Sequence, residues 1–278
     1  MKILSKKQKY ILWGFLGLAV LSMALAYISI PSGALEVHFL DVGQGDSIFI
    51  ETPGGSQVLI DGGAPGSGVL GKLSGIMPFY DRHIDIIAAT HMDADHIGGL
   101  IDVIENFEVD MVLVSTNISN SPLSNKFWQV IKGREIPVLH IEQGDKFTLD
   151  EDIYMYALHP APHFKTKDDN DTSLVLKLTY REDSFLFTGD IEKRAEYALA
   201  QSGLDISADV LKVPHHGSNS SSVEYFLAKV NPKLAVIQVG DNRYGHPHPA
   251  VLRRLQGVQV LRNDINGVIS IYSYGNSI

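Results

Sequence analysis

The chain has 278 residues, of which 45% are apolar and 20% charged, a balance typical of a folded globular protein. It contains no cysteine, which excludes a disulfide framework and a thiolate metal site, so a bound metal would need histidine or oxygen ligands. Without Lys2, Lys6, Lys7 and Lys9, 19 basic side chains stand against 32 acidic ones, a formal charge of −13. A generally basic surface for nucleic acid is therefore excluded.

The first predicted element is an apolar helix at residues 10–30. From Tyr10 to Ile30 the sequence carries no charge over 21 residues, about the length needed to cross a hydrocarbon core. The lysines before it predict a cytoplasmic basic segment at residues 1–9, with everything after Ile30 outside the cytoplasmic membrane. Ala24 and Ala26 are small residues two positions apart after an apolar run, as a signal-peptide cleavage site requires. The alternative to a single-pass anchor is therefore a cleaved signal peptide and a secreted protein. A buried core helix is disfavoured, because the run is not amphipathic.

Short β-branched runs follow from residue 36 onward. They predict strands at Val37–Val42, Ser47–Glu51, Val58–Asp61, Ile84–Thr90, Ile153–Leu158, Ser173–Thr179, Ser184–Phe187, Val210–Val213, Ala235–Val239 and Val268–Tyr272. Helical patterns lie at Gly98–Phe107, Glu192–Ser202, Val223–Val230 and Pro249–Leu255. Two strand-rich halves with interspersed helices predict an α/β fold of two facing sheets, each covered outside by helices. No long linker divides residues 36–278, so they are predicted to form one domain.

The densest group of polar residues follows the strand predicted at Ile84–Thr90. Two imidazoles and two carboxylates fall within six residues, at His91, Asp93, Asp95 and His96. A turn between a strand and a helix projects such side chains from the end of a sheet into a cleft. Without a cation this cluster would repel itself and be poorly solvated, so the pattern predicts a metal site.

This pattern, His-x-Asp-x-Asp-His, resembles the His-x-His-x-Asp-His signature of the metallo-β-lactamase superfamily in the form found in ComEC-type DNA-uptake proteins. Five further segments are similar to family motifs in the same order, at Phe39–Ser47, Leu59–Gly63, Phe187–Asp190, Leu211–Ser218 and Asn242–Pro249. The resemblance covers residues 36–272. It implies a four-layer αββα sandwich and a hydrolase that uses two divalent metal ions, Zn²⁺ or Mn²⁺.

The resemblance also implies roles for individual residues. One metal ion would be held by His91 and Asp93, and the other by Asp95, His96 and a late histidine, with Asp190 between the ions. Relatives place that histidine directly before a glycine, which favours His216 and leaves His215 as the alternative. The residues expected to support the ligands or to contact the substrate are Asp46, Asp61, Asn170, His215 and Asn242.

Three residues are predicted to be catalytic. They are the ligands Asp95 and Asp190, and His246, which would contact a phosphate or protonate a leaving group, a role that an ordinary imidazole pKa of about 6.5 suits. His159 is predicted to be an ordinary loop histidine. Asp93 and Asn170 stand where most members of the superfamily have histidines, so the site is expected to be rich in oxygen and to suit Mn²⁺.

The function implied by the resemblance is hydrolysis of a nucleic-acid phosphodiester, connected with DNA uptake or degradation of extracellular DNA. The chain lacks the multi-span channel domain of ComEC proteins, so a separately encoded DNA-uptake channel is the expected partner. A cell-surface phosphorylcholine-type phosphodiesterase is the rival, and the acidic composition favours it. A non-catalytic assembly module is the third alternative.

Overall fold

The computed structural model describes residues 5–28, 33–115, 120–276 and 278. The chain divides into two units, Met1–Ser32 and Gly33–Ile278. The first contains helix α1, Lys6–Ile28, whose side chains from Tyr10 to Met23 are exposed. Among the described residues, no helix combines the length and the apolar character required to cross a membrane. The predicted span at residues 10–30 ends on two residues outside the described ranges, and its transmembrane character is not confirmed.

The second unit is built around two sheets. Within the described residues the strands are β1 Leu35–Phe39, β2 Ile48–Glu51, β3 Gln57–Ile60, β4 His83–Ala89, β5 Glu108–Val114, β6 Val138–His140, β7 Lys146–Asp150, β8 Ile153–His159, β9 Val175–Tyr180, β10 Asp183–Phe187, β11 Val210–Lys212, β12 Leu234–Ile237, β13 Gln259–Arg262 and β14 Ile269–Ser273. The helices are α2 Val69–Ser74, α3 Ala94–Asn106, α4 Pro122–Gly133, α5 Lys193–Gln201, α6 Glu224–Val230, α7 Pro249–Arg254 and α8 Asn263–Asn266. Two 3-10 segments lie at Asn170–Thr172 and Pro214–Gly217.

The two sheets share one plan. Their strand orders are β14-β1-β2-β3-β4-β5-β6 and β13-β12-β11-β10-β9-β8-β7. In the first sheet the pairs from β14 to β3 are antiparallel and those from β3 to β6 parallel. In the second, the pairs from β7 to β10 are antiparallel and those from β10 to β13 parallel. Each sheet therefore has one half in which the carboxyl ends of the strands lie at a common edge.

Three apolar clusters separate four layers. The central cluster joins the inner faces of both sheets, with Phe39 on one side and Phe185 on the other. An outer cluster packs α3 on the first sheet through Leu100, and another packs α6 on the second sheet through Phe226. Each fully buried side chain of this size contributes about 1.5–3 kcal/mol to folding. The predicted αββα arrangement is confirmed.

Candidate metal centre

The candidate metal centre lies where parallel strands end. Asp61 follows β3, and His91 lies just beyond β4, its parallel neighbour. Asp190 comes three residues after β10, and His216 belongs to the 3-10 segment after β11, which pairs parallel to β10. Because parallel neighbours end at the same edge, the two sheets deliver their functional side chains to one place.

Two buried histidines are held by their Nδ1 atoms. His96 Nδ1 lies 2.8 Å from Asp61 Oδ2, and His216 Nδ1 donates to the backbone oxygen of Gln238 at 2.8 Å. Their Nε2 atoms lie 3.3 and 3.2 Å from Asp190 Oδ2. Fixing Nδ1 as the donor leaves the Nε2 lone pair free for a metal ion.

Two aspartates complete the cluster on the side of helix α3. Asp95 Oδ2 lies 3.5 Å from His216 Nε2, and Asp93 Oδ2 lies 3.8 Å from His91 Nε2. We call Asp95, His96 and His216 the His216 side of the centre, and His91 with Asp93 the His91 side. Asp190 lies near both sides, since its carboxylate groups with His91 and His96 and also with His216.

The carboxylates and imidazoles change one another's proton affinity. Burial alone would raise the pKa of Asp190, but the nearby His216, His96 and Lys212 hold it well below the usual range. Burial would lower the pKa of His96, yet Asp190 and Asp61 raise it well above the ordinary value. His91 contrasts with them, because burial and the adjacent His96 lower its pKa to about 3. The cluster is therefore a strong binding site for positive charge.

Lys212 is a member of the centre that the sequence analysis did not assign. Its side chain is fully buried, contacts the Asp46 carboxylate, and donates to the Gly189 backbone oxygen at 2.7 Å. Its Nζ also lies 3.3 Å from Asp190 Oδ1. The signal was available, because a lysine among the apolar residues of β11 requires a buried partner. This ammonium fixes one oxygen of Asp190 and leaves the other facing the imidazoles.

The donor set fits two divalent cations. The Nε2 atoms of His91, His96 and His216 are buried and have no hydrogen-bond partner in the described part of the chain. With neutral imidazoles, one lysine stands against five aspartates, which leaves four negative charges, the amount that two divalent ions neutralise. The five are Asp46, Asp61, Asp93, Asp95 and Asp190.

Backbone strain accompanies this arrangement. His215 and His216 have φ values of 48° and 51°, a left-handed conformation that costs side-chain-bearing residues energy. The turn sends the two rings to different partners, since His215 Nδ1 lies 3.0 Å from Glu192 Oε1 rather than near Asp95. Gly45 has φ 130°, and a side chain there would clash with the Asp95 backbone oxygen. Strain of this kind is typical of functional sites.

The order of these residues along the chain has a counterpart in known proteins. The sequence model of the metallo-beta-lactamase superfamily matches residues 40–241. The chain belongs to the metallo-β-lactamase superfamily. This membership confirms the resemblance inferred from the motifs, and it makes the protein a metal-dependent hydrolase by family.

Curated relatives of the chain include competence proteins. ComE operon protein 3 of Bacillus subtilis is 34% identical over 87% of this chain, and competence protein ComA of Neisseria gonorrhoeae is 29% identical over 87%. The chain spans 33% of the length of each. Among solved structures, YhfI from Bacillus subtilis, a metallo-beta-lactamase fold protein, is 12% identical, with a TM-score of 0.56 over 86% of this chain and 100% of that one. That likeness concerns the fold alone.

The structure brings five of the six predicted metal ligands into groups that could hold an ion, and Oδ2 of the sixth, Asp93, lies 3.8 Å from His91 Nε2. His91, Asp95, His96, Asp190 and His216 belong to the clustered groups described above. For Asn170 the described hydrogen bonds are those of its backbone, including a carbonyl oxygen that accepts from Ser173 Oγ at 2.7 Å. Its role as an oxygen ligand stays a prediction.

The loop that follows β12 corrects one expectation. Burial, followed by the nearby His215 and His216, lowers the pKa of His246 to about 4, so the expected ordinary pKa is wrong. At pH 7 His246 is therefore neutral and lacks the imidazolium proton that it would donate to a leaving group. The Asn242 amide braces the loop, because Nδ2 donates to the backbone oxygen of His246 at 2.8 Å while Oδ1 accepts from its N–H at 3.0 Å.

A second set of residues positions the metal centre through a series of hydrogen bonds. His159 is the last residue of β8 and donates from Nε2 to the Asp171 backbone oxygen at 2.8 Å, so the expected loop histidine is wrong. Asp171 Oδ1 accepts from the Glu192 N–H at 2.9 Å. Glu192 in turn holds His215, which gives this chain of contacts a positioning role. Asp61 accepts from Thr90 N at 2.8 Å as well as facing His96, as expected of a supporting residue.

Proposed function

We propose that the protein is a two-metal phosphodiesterase that acts on nucleic acid, a nuclease connected with DNA uptake or with degradation of extracellular DNA. The observation that carries the proposal is the buried group of three unpartnered imidazole nitrogens facing the Asp190 carboxylate. A site with that charge and donor set is suited to cations, and paired divalent ions are suited to phosphoryl chemistry.

The residues divide between two ions. Asp95, His96 and His216 would hold one ion and His91 with Asp93 the other, while Asp190 would contact both. When bound, the two ions would act as Lewis acids for the attacking water and for the leaving oxygen of the phosphodiester. Lys212 keeps Asp190 oriented, and Asp61 keeps the His96 ring in position. No nucleophile from the protein is required.

Similarity to competence proteins supports a nucleic-acid substrate. For the role in uptake, a separately encoded DNA-uptake channel is the proposed partner. The acidic composition favours the rival substrate, a small choline phosphodiester of the cell surface. Cleavage of the small ester but not of DNA would establish the choline phosphodiesterase. Cleavage of neither substrate would favour the third alternative, a non-catalytic assembly module.

We further propose that α1 attaches the protein to the cytoplasmic membrane with the hydrolase unit on the outer face. The exposed apolar side chains of α1 support this, as do the lysines that precede them. Protease added to spheroplasts should then digest the hydrolase unit in the membrane fraction. A soluble form that begins at Tyr27 would establish the cleaved leader instead.

The test of function uses the full-length protein in detergent. We expect metal-loaded protein to cleave single-stranded DNA, and a chelator to abolish this cleavage. 4-Nitrophenylphosphorylcholine is assayed in parallel, with Asp190→Asn as the inactive control. A protein that binds two ions and hydrolyses neither substrate would overturn the proposal.

A further inference from the structure

A cavity opens beside the His216 side of the metal centre. It has a volume of about 480 Å³, and its wall includes Asp95, Gln44, Arg243 and Tyr244. This volume lies within the usual range for pockets that bind small molecules. Because Asp95 belongs both to the metal centre and to the wall, a molecule in the cavity would adjoin the site of hydrolysis.

Tyr244 gives the cavity a fixed aromatic surface. Its ring stacks on His246 with centroids 5.6 Å apart and an interplanar angle of 28°. The side chain is nevertheless 72% exposed. Asn242 Oδ1 accepts from the Tyr244 N–H at 3.1 Å and so fixes the loop that carries it. A ring that is packed on one face and open to solvent otherwise is suited to stacking with a planar ligand.

Two polar groups in the wall lack partners. Arg243 is exposed and makes no hydrogen bond or ion pair with the described residues, and it is the one cationic side chain among those described in the wall. Gln44 Oε1 is buried and has no hydrogen-bond partner within the described ranges. A buried acceptor without a donor costs free energy unless a ligand supplies the donor. The wall therefore offers an anion the Arg243 guanidinium, in a wall that also includes Asp95 and Asp241, and it offers an N–H group an acceptor.

We propose that this cavity binds the nucleoside next to the phosphodiester that is cleaved, with its base stacked on Tyr244. Arg243 contacts a neighbouring phosphate, and Gln44 accepts a hydrogen bond from the base or sugar. The proposal rests on the phosphodiesterase function above. A choline group fits less well, because cationic ligands favour several aromatic rings and the wall includes one, Tyr244. Stacking accepts every base, so cleavage should depend little on sequence.

The test compares two esters with the same leaving group. One is the 4-nitrophenyl ester of thymidine 5′-monophosphate, and the other is bis(4-nitrophenyl) phosphate, which lacks a nucleoside. We expect full-length, metal-loaded protein to favour the thymidine ester in kcat/KM. Tyr244→Leu should reduce that preference about tenfold, whereas Tyr244→Phe should preserve it. Tyr274→Leu is the matched control, because Tyr274 is 58% exposed and lies outside the cavity wall.

The possible results distinguish failure of the cavity proposal from failure of the proposed phosphodiesterase function. Hydrolysis of both esters with a preference that Tyr244→Leu does not change would overturn the cavity proposal and leave the phosphodiesterase intact. Hydrolysis of neither would overturn the phosphodiesterase. Binding of thymidine 5′-monophosphate, measured by calorimetry, then tests the cavity proposal by itself. The proposal requires weaker binding in Tyr244→Leu and unchanged binding in Tyr274→Leu. A preference for 4-nitrophenylphosphorylcholine that depends on Tyr244 would assign the cavity to choline and overturn the nucleoside proposal.

Discussion

The two sides of the metal centre differ in how firmly the protein holds them. On the His216 side both rings are buried and each Nδ1 is fixed by an acceptor, Asp61 for His96 and the Gln238 backbone oxygen for His216. On the His91 side the His91 ring is also buried, with Nδ1 3.1 Å from Thr90 Oγ1, but the Asp93 side chain is 48% exposed and makes no capping hydrogen bond at the start of α3. Ligands that are already in position bind a metal with less loss of entropy. The centre should therefore combine one firmly held ion with one that exchanges.

The largest expected effect is on the residue common to both sides. Asp190→Ala should abolish hydrolysis and lower the content of both metals, because a carboxylate that touches two ions organises two sites at once. Metal analysis and DNA cleavage measure this, with Asp102→Ala on α3 as the control. Near-wild-type turnover would contradict the two-metal assignment.

Lys212→Met tests whether the lysine keeps the carboxylates in place. Removing one partner from a buried group of charges costs about 3–5 kcal/mol, so metal-free protein should lose that much stability in chemical unfolding. Added metal should restore part of the loss, since cations replace the missing charge. Exposed Lys229→Met on α6 should change nothing. Equal stability of Lys212→Met and wild type without metal would show that Asp46 and Asp190 do not depend on this ammonium.

Substitutions of the adjacent histidines His215 and His216 should have clearly different effects on metal binding. His216→Ala should lose the firmly held ion, whereas His215→Ala should weaken metal binding by about tenfold to a hundredfold, as expected for a residue that acts through a neighbour. Equilibrium dialysis with each metal measures the difference. The opposite result would exchange the roles of the two residues.

The last expected effect concerns stability rather than metal binding, and it comes from a buried carboxylate outside the centre, Glu196. It accepts from the Val223 N–H at 2.8 Å and also from the Ser222 N–H. Burial raises its pKa to about 7, in contrast to Asp190, because fewer cations lie nearby. The folded state holds this proton more tightly than the unfolded chain, so stability is full below about pH 4.5 and falls by about 3 kcal/mol as the pH rises to 7.

Unfolding measured from pH 4 to 8 in wild type and Glu196→Gln reveals this contribution, because the variant lacks the titrating group. Exposed Glu224→Gln on α6 should retain the wild-type profile. Parallel profiles for wild type and Glu196→Gln would show that Glu196 does not titrate in this range.

Much of the layering could be predicted from the sequence, because buried strands such as β4 and β11 appear as apolar runs bounded by polar turns. The strands β5, β6, β7 and β13 were missed. In β5 and β7, Glu108–Val114 and Lys146–Asp150 mix charged and apolar residues, while β6 and β13 are short strands at the ends of their sheets. Their position depends on pairing with neighbours, which local periodicity does not encode.

For the site, the local motif identified His91, Asp93, Asp95 and His96 because they lie within six residues. Gln238 and Glu192 could not be assigned in the same way, because each acts through residues distant in sequence. For Lys212 the apolar strand around it indicated a buried partner but not which one. The lowered pKa of His246 was also beyond reach, since it depends on burial and on neighbouring rings. The sequence thus identifies the metal ligands better than it identifies the residues that position those ligands.

The central claim is that the metal centre holds one ion more firmly than the other. The most direct test is to titrate metal-depleted protein with Mn²⁺ and with Zn²⁺ and to measure metal content and hydrolysis together. We predict two equivalents of unequal affinity, with the weaker one lost in Asp93→Ala, and activity with Mn²⁺ at least equal to that with Zn²⁺, because oxygen ligands suit the harder ion. Two zinc ions held with equal affinity, full activity with zinc and none with manganese would contradict the account.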